Sequence, residues 1–369
     1  MRFHDLRHQQ ARIEADLKRR LGAVLEHGQF ILGPEVTTLE ATLAEFVGVR
    51  HCVAVASGTD ALLVALLALG VGPGDEVITP SFNFVAAAEM IRLLGAQPVF
   101  ADIQRPNYNL EPADIESRIT AKTRAILPAD LFGQCPDYAA IHALAERCHL
   151  PVIEDAAQSF GATQAGRRAG SFGTIATTSF YPTKPLGCYG DAGACFTDHD
   201  GLAERMRSIR NHGQSGPYVH TRIGLNSRMD TLQAAVLLAK FAIFEPEIEL
   251  RQHVAARYHA GLGDILTTPS VAAGNTTVWA QYTVEVTQRD RVRAALATAG
   301  IPTAVHYPTP LHKQAAYQSS VRLPNTERAA QRVLSLPFNP YLSTDEQDNV
   351  IAQLRTLHLK SGTELEASL

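Results

Sequence analysis

The chain of 369 residues lacks the features that mark several common classes of protein. Its five cysteines are odd in number and show no C-x-x-C spacing, so we expect buried thiols in a reducing compartment. No lysine- and arginine-rich block exceeds a few residues and the formal net charge is −4, which argues against a nucleic-acid partner. No apolar run approaches the ~20 residues that span a bilayer, and the polar, charged N-terminus is unlike a signal peptide. We therefore predict a cytoplasmic protein without a membrane partner.

Seven short β-rich runs, alternating with helical patterns, lie between about residues 50 and 200. Each run is continuously apolar, as is typical of strands buried on both faces of a mostly parallel sheet. The runs are 51–56, 76–80, 97–103, 124–132, 151–157, 174–181 and 193–197. The series predicts an α/β domain with a mostly parallel seven-stranded sheet, which binds ligands at the carboxyl ends of its strands.

The rest of the chain has a different pattern. A long helical stretch at about 228–261 is followed by a mixture of short helices and strands. The length also fits two domains, at roughly 150 residues for each. We predict a large α/β domain over 1–250, which includes an N-terminal helix, and a smaller C-terminal α+β domain over 251–369.

The segment ASGTDAL leaves the first predicted strand and opens a helix. Side chains from Ser57 to Asp60 suit the helix N-cap, and Gly58 lets the backbone approach a ligand closely. A helix N-terminus presents unpaired N–H groups and the positive end of the helix dipole, which bind phosphate. Plain capping and a phosphate site are both consistent with this segment.

Two further strands end in polar side chains. PVIEDAAQSFGA carries Glu154, Asp155 and then Gln158, and a buried acid needs either a positive partner or a helix to cap. TSFYPTKPLG supplies Ser179 and Lys184, and a sheltered lysine becomes nucleophilic toward carbonyl groups. Pyridoxal phosphate requires this combination: a phosphate site, a lysine for its carbonyl and a carboxylate for its ring nitrogen.

Two segments outside the predicted sheet carry candidate substrate-binding residues. GLNSRMDTLQAA places Asn226 and Arg228 at the start of the long helix, either as plain caps or, for Arg228, as a clamp for an anionic substrate group. TAVHYPTPLHKQ carries His306 and Tyr307 between prolines. No cysteine or acid at ligand spacing accompanies these residues, so we predict no metal and expect the loop to border the substrate site.

These motifs, together with FILGPEV and GPGDEVITPSFNFVA, resemble those of the DegT/StrS-type nucleotide-sugar aminotransferases from about residue 3 to 355. That family is a branch of the fold type I pyridoxal-phosphate enzymes. Within it, the chain most resembles the enzymes that aminate C3 of UDP-2-acetamido-2-deoxy-3-oxo-glucuronate for bacterial surface polysaccharides such as O-antigen. The resemblance implies a transfer of the amino group of L-glutamate to a UDP-linked keto sugar.

The resemblance also assigns roles around the cofactor. Lys184 matches the residue that binds the carbonyl and moves the proton, and Asp155 matches the partner of the ring nitrogen. Gln158 matches the residue near the 3-hydroxyl group, and Phe84 matches the aromatic side chain that stacks on the ring. Asp130 stands where many members of the family have histidine, so it receives no predicted role.

For the phosphate, the resemblance implies contacts from Gly58, Thr59 and Ser179, and from Asn226 of a neighbouring subunit. A site shared in this way makes a homodimer the smallest functional unit. The substrate contacts that the resemblance and the loop positions favour are those of Arg228, His306 and Tyr307.

Other functions remain open at this point. The same family includes aminotransferases for other UDP- or dTDP-linked keto sugars, and a branch of sugar dehydratases in which histidine replaces the lysine that is Lys184 here. A regulator or sugar-binding protein on the same scaffold is disfavoured, because it would not need the complete set of cofactor-binding residues. A nicotinamide enzyme is disfavoured because no G-x-G-x-x-G follows the first strand.

Overall fold

The computed structural model of the protein describes residues 1–105, 107–317 and 319–366. The helices are α1 (Arg7–His27), α2 (Pro34–Val47), α3 (Gly58–Ala68), α4 (Ala86–Leu93), α5 (Pro112–Ser117), α6 (Tyr138–Arg147), α7 (Asp200–Ile209), α8 (Thr231–Phe241), α9 (Phe244–Leu262), α10 (Arg289–Thr298), α11 (Pro324–Arg332) and α12 (Thr344–Glu366). The strands are β1 (His51–Val55), β2 (Glu76–Pro80), β3 (Gln97–Ala101), β4 (Thr123–Ile126), β5 (Ile153–Asp155), β6 (Thr163–Gln164), β7 (Arg167–Arg168), β8 (Ile175–Ser179), β9 (Gly193–Thr197), β10 (Gln214–Gly216), β11 (Val219–His220), β12 (Tyr282–Glu285) and β13 (Val333–Leu336).

All seven runs predicted as central strands are strands in the structure. They form a three-stranded sheet in the order β3-β2-β4 and a four-stranded sheet in the order β1-β9-β8-β5. Two isolated parallel bridges, Ile126 with Val152 and Ala129 with Asp155, join the two sheets. Only β9 runs against its neighbours among these strands. The predicted α/β architecture with a mostly parallel sheet is therefore confirmed.

Helices cover both faces of the sheet, which explains why its strands are continuously apolar. In β1, Cys52 and Ala54 enter one hydrophobic cluster, with residues of α1, α2 and α8. Val53 and Val55 enter a second cluster, with residues of α3, α4 and α7. Successive side chains of a strand point to opposite faces, so both faces must be apolar to be buried in this way.

The C-terminal part of the chain has its own hydrophobic cluster, built by α9, β12, β13 and α12. The two strands pair antiparallel, with Tyr282 opposite Leu336. Helix α9 contributes Val254 and Tyr258 to this cluster and Phe244 to a cluster at the large sheet. Because α9 contributes to the clusters of both the large sheet and the C-terminal part, the domain boundary between residues 250 and 251 stays a prediction.

The predicted helical stretch at 228–261 consists of two helices, α8 and α9, which are interrupted at Ala242 and Ile243. Within the described part of the chain, no helix is both long enough and apolar enough to cross a membrane.

Candidate active site

The first strand and the helix that follows it form the floor of the site. Ser57 is the N-cap of α3, and its Oγ accepts a hydrogen bond of 3.0 Å from the N–H of Asp60. Gly58 begins the helix against the end of β8: a Cβ built on it would lie 2.9 Å from Ser179 Oγ and closer still to Ser179 Cβ. Thr59 follows in the first turn. The structure thus brings Gly58, Thr59 and Ser179 together at a helix N-terminus, which suits a phosphate group.

Asp155, on the strand that pairs with β8, and Lys184 interact electrostatically. Asp155 ends β5, and its Oδ1 accepts a hydrogen bond of 3.1 Å from the N–H of Ala157. Burial raises the pKa of Asp155, while that N–H and the amine of Lys184 oppose the rise. Burial also lowers the pKa of Lys184, and the Asp155 carboxylate opposes that change. The pair therefore combines an amine that loses its proton more readily than usual with a carboxylate that can hold a cation.

A tight turn presents Lys184. The N–H of Lys184 donates a hydrogen bond of 2.8 Å to the carbonyl of Tyr181. Gly187 packs against the same turn, where a Cβ would lie 2.6 Å from the oxygen of Tyr181 and 2.7 Å from that of Pro182. The prolines and glycines that surround Lys184 in the sequence thus serve this compact turn.

Gln158 is oriented by two hydrogen bonds. Its Oε1 accepts from the backbone N–H of Phe132 at 3.0 Å, and its Nε2 donates to the hydroxyl of Tyr307 at 3.3 Å. Phe84 lies near Tyr307, with 6.5 Å between the two ring centroids, and 55% of the surface of Phe84 is exposed. The aromatic ring is therefore accessible for stacking at the mouth of the site.

Asp130 holds the turn that carries Asp155 and Gln158, a role that sequence analysis missed. Its N–H donates to the carbonyl of Asp155 at 3.0 Å, and its carboxyl group accepts hydrogen bonds from Ser159 at 2.6 Å and Tyr138 at 2.7 Å. The side chain is buried, and burial together with nearby Glu154 raises its pKa. The sequence signal was an acid at the end of a predicted strand, which by itself is consistent with many roles.

Glu154 and Asp155 are adjacent in the sequence but serve different purposes. The Glu154 carboxylate is buried on the opposite face of β5 and accepts three backbone hydrogen bonds, from Gly170, Phe172 and Gly173. Burial raises its pKa to about 7, and these three N–H groups oppose the rise. Glu154 thus fixes the loop that runs from Gly170 to Gly173.

The segment from Asn226 to Arg228 does not lie outside the sheet at the start of a helix, as we expected. Helix α8 begins three residues later, with Asp230 as its N-cap. Arg228 instead forms an antiparallel bridge with Val55, and the N–H of Ala56 donates to the carbonyl of Ser227 at 3.1 Å. The segment continues the edge of the sheet beside β1, a pairing between distant parts of the chain that local sequence cannot show.

The two polar side chains of this segment are differently placed. Asn226 is exposed. Arg228 is partly buried, with Nη1 donating to Asn211 Oδ1 at 3.3 Å and a buried Nε that has no partner among the described residues. Arg228 therefore retains donor capacity for a ligand.

The C-terminal loop borders the site from the other side. His306 Nδ1 lies 2.9 Å from Ser335 Oγ, and burial, with His4 and Lys184 nearby, lowers the pKa of His306 to about 4. His306 is thus neutral at pH 7. His312 instead ties the loop to the end of β2, because its Nδ1 lies 2.8 Å from Ser81 Oγ.

These residues fit pyridoxal phosphate: the helix N-terminus at Gly58, in contact with Ser179, would hold the phosphate, and Asp155 and Lys184 would serve the ring nitrogen and the carbonyl. When bound, that cofactor supplies a reactive carbonyl and an electron-withdrawing ring for amino-group transfer. Asp155 would hold the protonated ring nitrogen of that cofactor through its carboxylate. The Nζ atom of Lys184 is suited to remove a proton from the donor's α-carbon, because burial favours its neutral form.

Known proteins share both the sequence and this architecture. The UDP-2-acetamido-2-deoxy-3-oxo-D-glucuronate aminotransferase of Pseudomonas aeruginosa is 55% identical over 344 residues, covering 93% of this chain and 96% of that protein. The crystal structure of a DegT DnrJ EryC1 StrS aminotransferase from Brucella abortus matches with a TM-score of 0.95 and 46% identity, covering 97% of this chain and 99% of that one.

A third comparison concerns the cofactor. NtdA from Bacillus subtilis, solved with the cofactor PMP bound, matches with a TM-score of 0.88 and 34% identity, covering 94% of this chain and 82% of that one. The prediction of a pyridoxal phosphate cofactor is thereby confirmed at the level of the family. Residues 11–355 match the DegT/DnrJ/EryC1/StrS aminotransferase family, and the chain belongs to that family.

Proposed function

We propose that the protein transfers the amino group of L-glutamate to C3 of UDP-2-acetamido-2-deoxy-3-oxo-glucuronate. The product would be a 3-amino sugar for a bacterial surface polysaccharide, such as the O-antigen of lipopolysaccharide, made in the cytoplasm. Amino transfer is supported by the buried, interacting pair of Lys184 and Asp155 and by the contact of Gly58 with Ser179 at a helix N-terminus. The named activity of the Pseudomonas aeruginosa relative supports this choice of sugar.

Arg228 is the proposed partner of the sugar's C6 carboxylate. Its guanidinium is partly buried beside the end of β1 and retains an unpartnered Nε among the described residues. A planar guanidinium binds a carboxylate more strongly than it binds a hydroxyl group. In our proposal, His306 and Tyr307 border the same sugar from the C-terminal loop.

The test compares the uronate with its 6-hydroxymethyl analogue. A charge-assisted hydrogen bond contributes about 1.5–3 kcal/mol, so Arg228→Ala should lower kcat/KM for the uronate by about 10- to 150-fold. The analogue should lose far less. Arg257→Ala, which removes a surface arginine paired with Asp348, serves as the control. Equal losses on both sugars would show that Arg228 does not bind the C6 carboxylate, and the uronate assignment would then rest on the resemblance alone.

We also propose a homodimer with shared active sites. Three exposed apolar side chains precede Asn226, in the β10–β11 hairpin and in the segment that follows it: Tyr218, Val219 and Ile223. Such side chains gain by burial against a second copy of the chain. Asn226 would then reach the phosphate of the neighbouring subunit.

Mixing inactive subunits tests the shared site. In a heterodimer of Lys184→Ala and Asn226→Ala, one site keeps both native residues. Random exchange of equal amounts should therefore restore about a quarter of wild-type activity. No recovery after demonstrated exchange would show that each site belongs to one chain.

A further inference from the structure

A small cavity adjoins Lys184 on the side of the chain's N-terminus. Its volume is about 30 Å³, and its walls include Lys184, His4, Arg251 and Tyr341. A water molecule occupies about 10–15 Å³ of such a cavity, so there is room for two waters or for the two oxygens of a carboxylate. The N-terminal segment, the α9 helix and the C-terminal unit all contribute to these walls.

Arg251 is a buried cation, and the carboxylate of Glu247, which favours its charged form, accepts hydrogen bonds from other residues. Only 9% of the residue is exposed, and its Nη1 donates to the carbonyl of Trp279 at 3.1 Å. Burial lowers the pKa of Arg251, and Glu247 opposes that change. The Glu247 oxygens, however, accept from Gln9 Nε2 at 2.8 Å and from Tyr341 OH at 2.5 Å.

Arg251 therefore forms no ion pair with a carboxylate in the described part of the chain. A buried guanidinium without a bound anion is costly. Asp5, an acid in the cavity wall, is held by the guanidinium of Arg7 through Nε and Nη2. The charge of Arg251 is thus available to an anion that enters the cavity.

The carboxylates of the amino-acid donor have no assigned partner. Gly58 and Ser179 serve the cofactor's phosphate, and Arg228 serves the sugar. An amino-acid donor brings at least one carboxylate to Lys184, and the cavity lies directly beside that lysine.

We propose that this cavity binds a carboxylate of the amino-acid donor through Arg251. This inference rests on the proposed amino transfer and adds to it a residue that selects the donor. Because the guanidinium is buried and held by Trp279, it is already oriented before the donor arrives.

Arg251→Gln should lower kcat/KM of the glutamate half-reaction by about 10- to 150-fold, the effect of one charge-assisted hydrogen bond. The half-reaction of the pyridoxamine form with the keto sugar should change by less than about twofold, because the sugar's carboxylate has a different partner. Arg257→Gln is the matched control on the same helix, since Arg257 is an exposed residue paired with Asp348. Each half-reaction is followed separately by the absorbance of the cofactor.

Glutarate binding gives a readout that does not depend on turnover. Titration calorimetry should show binding of glutarate to wild type and to Arg257→Gln, and at least tenfold weaker binding to Arg251→Gln. L-alanine, which has an α-carboxylate but no side-chain carboxylate, distinguishes the two carboxylates of glutamate. If the α-carboxylate occupies the cavity, Arg251→Gln slows the half-reactions of both donors. If the side-chain carboxylate occupies it, only the glutamate half-reaction slows.

The inference is overturned if Arg251→Gln slows both half-reactions equally, or if it leaves glutarate binding and the glutamate half-reaction unchanged. If Arg251→Gln does not fold, Ala280→Val narrows the same cavity and leaves the charge in place. That variant should then also lose the glutamate half-reaction selectively, and a wild-type rate would overturn the inference. A wild-type protein that transfers no amino group but binds glutarate through Arg251 would contradict the proposed function, not this site.

Discussion

A single methyl group at Gly58 should weaken cofactor binding through a steric conflict at the phosphate site. Gly58 has no left-handed backbone conformation, so alanine introduces no backbone strain there. Its Cβ would nevertheless lie 2.9 Å from Ser179 Oγ and 3.0 Å from Ser179 Cα. Ser179 cannot yield easily, because it ends a central strand and pairs with Gly193 of β9.

Overpacking of this kind costs about 1–3 kcal/mol. If α3 moves away from Ser179 to relieve the conflict, the two sides of the phosphate site separate and the cofactor loses contacts of similar value. We expect the Kd for pyridoxal phosphate to rise by about 5- to 150-fold. The free energy of unfolding of the apoprotein should fall less, because alanine favours the helix that begins at this position.

The assay is a titration of apoprotein with pyridoxal phosphate, followed by absorbance, together with urea denaturation of the same apoprotein. Gly72→Ala is the control, since a Cβ at Gly72 would meet no atom within 4 Å. Cofactor affinity in Gly58→Ala equal to that of wild type and of Gly72→Ala would refute the placement of the phosphate.

Two other predictions concern the support of the site and its pH dependence. Ser159→Ala and Tyr138→Phe each remove one hydroxyl from the carboxyl group of Asp130. Only Ser159→Ala should raise the Kd for pyridoxal phosphate, by about 2- to 13-fold, because Ser159 adjoins Gln158; equal effects in cofactor titrations would contradict this positioning role. The pKa of His306 is lowered to about 4 from 6.5, so the native state favours its neutral form and stability should fall as the pH drops from 6.5 toward 4. Urea denaturation at pH 7, 5 and 4 should show a smaller loss of stability in His306→Asn than in wild type. If the free energy of unfolding falls with pH equally in both proteins, His306 is not the source of the loss.

The placement of the candidate cofactor residues could be predicted from the sequence because they follow strands that share one direction. Parallel strands bring their carboxyl ends to one edge, so Gly58, Asp155 and Ser179 meet although their positions in the chain are far apart. The turn of prolines and glycines around Lys184 gave a further local signal.

Other features depended on contacts that no local pattern encodes. The separate roles of Glu154 and Asp155 follow from the face of β5 on which each lies. The bridge between Arg228 and Val55, and the packing of the N-terminal segment near Arg251, join parts of the chain that are distant in sequence. Such pairings are determined by the assembled fold.

Identification of the lysine that carries the cofactor tests the central claim most directly. Lys240 is the alternative, since it is buried, has a pKa lowered to about 8 by burial, and its Nζ has no hydrogen-bond partner among the described residues. Borohydride reduction of the protein with bound pyridoxal phosphate, followed by peptide mapping, should place the label on Lys184, and Lys184→Ala should remain unlabelled. A label on Lys240, or on any lysine other than Lys184, would contradict the account.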